Sequence, residues 1–94
     1  MKRFYVVMVN ATPGLAVSDV QEALGTDHDW YRIANNVWVV RTHLSVDSLH
    51  NRLEYCVRPS GTMFISQLNP RQHQGLMPQE FWDWLNNLLR AYPQ

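Results

Sequence analysis

Residues 29–42, DWYRIANNVWVVRT, restrict the fold more than any other stretch. They read as two strands, 30–34 and 37–42, joined by Asn35-Asn36. A two-residue hairpin loop of the primed type needs positive φ at both central positions, which Asn tolerates better than any residue except Gly. The flanks are aromatic and β-branched, as strands prefer. One strand and one helix precede this hairpin, and one helix and one strand follow it.

Residues 3–9, RFYVVMV, form a continuous apolar run of strand length, suited to a central strand covered on both faces. Thr12-Pro13-Gly14 ends it. Residues 17–24 carry Val17, Val20, Ala23 and Leu24 on one helical face, with Ser18 and Asp19 available as caps and Gly25 as a stop. Beyond the hairpin, Ser45 caps a second helix expected to run to about Val57, with Val46, Leu49, Leu53, Cys56 and Val57 as its apolar stripe. A turn at residues 58–61 leads to a fourth strand, residues 62–68, which Asn69-Pro70 terminates.

This order predicts an α+β chain of the ferredoxin-like type: a βαββαβ four-stranded antiparallel sheet with two helices on one face. The first and third strands are apolar on both faces, so the second face also needs a cover. A third helix supplies one. Pro78 suits its first turn, and residues 80–91 carry Phe81, Trp82, Trp84, Leu85, Leu88 and Leu89. That apolar arc is wider than one contact surface requires, so the helix, at residues 78–92, is expected to pack on its own domain and on a partner chain. Trp82, Trp84, Leu88 and Trp38 are the expected dimer contacts.

The whole chain of 94 residues is one domain. At this size only roughly 60–65% of the unfolded surface is buried, and four Trp, four Tyr and three Phe are more than a small monomer easily hides. Net charge is zero, which weighs against tight, sequence-independent nucleic-acid binding and favours protein over nucleic acid as the partner. The single cysteine, Cys56, excludes an internal disulfide and is expected to be a buried, inert thiol. The apolar run after Lys2-Arg3 is too short for a signal core, and no run reaches membrane-span length, so a cytoplasmic protein without membrane contact is expected.

The segments 4–10, 29–42 (Trp30-Tyr31 and Val37-Trp38-Val39-Val40-Arg41-Thr42 above all) and 45–53 resemble a group of small bacterial and phage proteins often labelled SinR-like. That group is similar to the small CRISPR-associated adaptation nuclease and to the VapD ribonuclease toxins. The resemblance implies a ferredoxin-like fold, a homodimer and association with nucleic acid. The CRISPR relatives carry an aspartate at the end of the first strand, taken to bind a divalent metal across the dimer axis. The matching position here is Asn10, a poorer ligand for a hard cation, so the resemblance implies loss of that metal site.

Several constellations invite a chemical reading. Asp27-His28-Asp29 reads as a solvated turn and His50/Glu54 as a solvent-facing pair, since neither has metal-site spacing. Arg32 and Arg41 lie on neighbouring hairpin strands. Pairing about Asn35-Asn36 sets Arg32 near Val39 and Arg41 near Trp30, a thin phosphate patch. The loop 69–77, NPRQHQGLM, offers the most chemistry: Arg71, Gln72, His73 and Gln74 present donors and one imidazole. The sequence therefore points to a homodimeric binding protein, without catalysis, cofactor or metal, whose recognition element is this loop. The alternative is a small endoribonuclease using His73 and Arg71, or a metal held by Asp27 and Asp29, to cleave phosphodiesters.

Overall fold

The computed structural model describes residues 2–26 and 28–91. Its elements run β1 (Arg3–Asn10), α1 (Val17–Leu24), β2 (Asp29–Ala34), β3 (Val37–Thr42), α2 (Val46–Leu53), a single 3₁₀ turn (Glu54–Cys56), β4 (Thr62–Leu68) and α3 (Gln79–Ala91). The strands form one antiparallel sheet in the order β2-β3-β1-β4. This is the ferredoxin-like arrangement with a C-terminal helix added. The apolar β1 is central, as its two-sided hydrophobicity demands.

Strand alternation sorts the core into two layers. Tyr5, Val7 and Val9 of β1 and Trp38 and Val40 of β3 point to the face covered by α1 and α2, where they meet Val20, Leu24, Leu49, Leu53 and Cys56. Trp38 is wholly buried there. The other face carries Phe4 and Val39, which pack with Phe81 and Leu85 of α3. The Cys56 thiol is buried, and that burial pushes it above its ordinary value.

The element ends have identifiable causes. Ser45 caps α2 by accepting from the Ser48 amide at 3.1 Å. Of the two cap candidates at α1, Asp19 serves: Ala16, not Ser18, is the N-cap residue, and Asp19 reaches back to its amide at 2.7 Å. The α-helical part of α2 stops at Leu53, short of Val57, and the 3₁₀ turn carries the same apolar stripe onward. Gly25 takes a positive φ of 83° just past α1, and its carbonyl accepts from the Trp30 indole at 3.0 Å.

The hairpin departs from the primed-turn expectation. No non-glycine among the described residues has positive φ, so Asn35 and Asn36 do not supply left-handed backbone. They supply side-chain bonds instead. Arg32 donates to the Ala34 and Asn35 carbonyls and to Asn35 Oδ1, at 3.1, 3.2 and 3.1 Å. Asn36 donates to Asn10 Oδ1 at 2.7 Å. An irregularity between Arg32 and Ala34 then shifts the ladder by one residue. Arg32 consequently faces Trp38, not Val39, and Arg41 faces Asp29, not Trp30.

Candidate functional site

The shifted register dismantles the expected arginine patch. Arg41 is only 2% exposed, and its guanidinium pairs with Asp29 at 3.2 Å. It lies on the same sheet face as Asp29, whereas Arg32 alternates to the opposite face and is tied to the hairpin loop. A buried, ion-paired guanidinium is part of the fold and not a phosphate receptor on the surface. Trp38 is likewise removed from the expected dimer contacts, because its side chain fills the layer under α1 and α2.

The polar turn before the hairpin is also structural where it is described. His28 contacts Thr42 Oγ1 through Nδ1 at 2.9 Å and Arg52 through Nε2 at 2.8 Å. A guanidinium only donates, so Nε2 accepts and Nδ1 carries the proton toward Thr42. Arg52 also reaches the Leu24 carbonyl at 3.3 Å, joining α2 to the end of α1. Asp27 lies outside the described residues, and with it the suggested Asp27/Asp29 metal pair. Among the described residues, no three His, Cys, Asp or Glu side chains converge on one point. Glu54 pairs with Arg58 at 2.6 Å, and that bond, together with the Arg58 charge, holds its carboxyl below the usual range. Asn10 is engaged on both sides: it accepts from Asn36 and donates to Thr62 Oγ1 at 3.1 Å.

Two surface features remain. The first is the loop 69–77, which folds along α3. The Asn69 side chain accepts from the Arg71 amide at 3.0 Å, and its carbonyl accepts from the Gln72 amide at 3.1 Å. His73 then stacks on Trp82, with ring centroids 5.4 Å apart and planes 22° from parallel. Arg71 is exposed and shares an open cleft of about 620 Å³ with Asn86, Leu89 and Arg90. Gln72 and Gln74 are exposed and take no part in that lining. The sequence singled out Arg71 and His73 but not Asn86 or Arg90. Leu89 and Arg90 follow Asn86 by three and four residues, on one flank of α3, and that spacing is the signal that was available.

The second is the sheet face that α3 covers only in part. Helix α3 packs Phe81 and Leu85 on Phe4 and Val39, with Trp82, Trp84 and Leu88 half-buried around them. Tyr31 sits edge-on to Phe81 at 5.3 Å, and burial there, with Glu80 nearby, raises its phenol above the ordinary value. The helix leaves a corner of the face uncovered. By register Val6, Met8, Val37 and Phe64 occupy that corner, and Phe64 is 65% exposed. Its border is polar and uncharged: Asn10, Asn36, Thr62 and Ser66.

Among the described residues, no helix is long and apolar enough to cross a membrane. Comparison with known proteins finds no matching family model, curated protein or solved structure.

Proposed function

We propose that this protein is a homodimeric binding module of ferredoxin-like fold that works in the cytoplasm without catalysing a reaction. The observation that carries the reading is the open corner of the second sheet face, where Phe64 stands 65% exposed beside Val6, Met8 and Val37. An apolar sheet surface of this kind, next to the edge strand β4, favours association over solvent exposure. A second copy of the chain is the occupant that fits. The corner carries no charged side chain, so two copies meet without like-charge repulsion, and a partner selected by charge finds nothing there to read. The half-buried Trp82, Trp84 and Leu88 of α3 adjoin the same face and extend the contact. The resemblance to SinR-like proteins, with their homodimers, adds to this reading. The loop 69–77, remote in chemistry from the apolar corner, is left to recognise the partner.

The absence of catalysis is tested with labelled RNA and DNA oligonucleotides, each incubated with the purified protein in Mg²⁺, in Mn²⁺ and in chelator. The oligonucleotides are expected to stay intact. Cleavage that disappears in His73→Ala would overturn the proposal and install the endoribonuclease reading in its place.

A further inference from the structure

We propose that the cleft between the loop 69–77 and the last turns of α3 binds a small phosphate monoester. The proposal concerns a different surface from the sheet corner and stands whether or not the chain dimerises. Arg71 reaches the cleft from the loop, and Asn86, Leu89 and Arg90 reach it from one flank of α3. No carboxylate belongs to this lining among the described residues. Asp83, one turn before Asn86, takes a hydrogen bond from Gln79 at 3.0 Å. Two arginines from separate elements thus line one open space, and an anion bound there would offset their like charges.

The donor set selects among anions. Arg71 closes the loop with its backbone amide and lines the cleft from an exposed position. Arg90 gives one donor to Asn87 Oδ1 at 2.8 Å, out of the five that a guanidinium holds. A carboxylate is filled by a single guanidinium fork, whereas a phosphate has three terminal oxygens and accepts from two forks and the Asn86 amide together. The macrodipole of α3 disfavours an anion on the helix axis at this end. The cleft lies on the flank, where the arginine charges outweigh that effect. Leu89 provides an apolar wall for the organic part of the ligand, as binding sites commonly do.

Amide and indole NMR shifts of the intact protein test this with phenyl phosphate, glycerol phosphate and benzoate as probes. Phenyl phosphate is expected to shift Leu89 and Arg90 saturably, with a Kd on the order of millimolar at low salt, weakening as salt rises. Arg71→Gln and Arg90→Gln, both at exposed positions, are each expected to weaken binding about tenfold while leaving the remaining spectrum unchanged. Arg32→Gln, on the hairpin, is expected to bind as the parent does. Glycerol phosphate binding at the same residues supports the phosphate site with an aliphatic body. Benzoate binding as tightly as phenyl phosphate would overturn the selectivity for phosphate. No saturable shift, or undiminished binding by both arginine variants, would overturn the site itself.

Discussion

Asn36 donates to Asn10 Oδ1 at 2.7 Å, and Asn10 in turn donates to Thr62 Oγ1 at 3.1 Å. This short chain of amides ties the hairpin loop, the end of β1 and the start of β4 together at the border of the open sheet corner. It gives Asn10 a structural task that needs both a donor and an acceptor on one side chain. Asn10→Ala removes both bonds at an exposed position and is expected to cost about 1 kcal/mol. Urea unfolding of the two proteins measures it, and an unchanged midpoint would show that the amide chain adds nothing.

Gly61 stands where β4 starts, and a Cβ there would press on the Asn10 carbonyl oxygen, 2.8 Å from the Thr12 nitrogen and 2.9 Å from the Val57 Cα. All three neighbours are backbone, which cannot rotate aside. Gly61→Ala is expected to destabilise the fold by about 1–3 kcal/mol, the usual range for overpacking. Thermal unfolding checks this; an unaltered Tm would mean that the turn opens freely.

The pH behaviour of the Glu54–Arg58 pair follows from its sign. Arg58 holds the Glu54 carboxyl below its ordinary value, through the hydrogen bond first and the charge second. A depressed carboxylate stabilises the fold above the unfolded value of about 4.3 and ceases to do so as pH falls through the lower folded value. Arg58 is three-quarters exposed and Glu54 about one-third, so solvent screens the pair and the contribution is small. Arg58→Ala is expected to move the Glu54 titration upward in an NMR pH series. A titration that stays in place would contradict the assigned cause.

Much of this architecture was legible because it rests on alternation and periodicity. The runs at β3 and β4 and the helical face of Val17, Val20 and Leu24 mark their elements directly. The hairpin register was not legible. The ladder shift between Arg32 and Ala34 is a backbone irregularity that leaves no mark on the side-chain pattern. Arg41 was misread for a related reason: an arginine in a strand suggests a solvated face, and its burial depends on Asp29 arriving opposite it. The stripe through Leu53, Cys56 and Val57 hid the end of α2, since a 3₁₀ turn keeps those residues inward. Of the cleft, Arg71 was visible as loop chemistry. Arg90 and Asn86 became relevant only when the loop folded back along α3, which no local pattern encodes.

Self-association through the open sheet corner is the central claim, and sedimentation equilibrium of the parent and of Phe64→Glu tests it most directly. The parent is expected at twice the 11.0 kDa mass of the chain. Phe64→Glu would place a desolvated carboxylate from each copy at the seam, and is expected at the monomer mass with an unchanged circular dichroism spectrum. A parent that sediments as a monomer, or a Phe64→Glu protein that remains dimeric, would contradict the account.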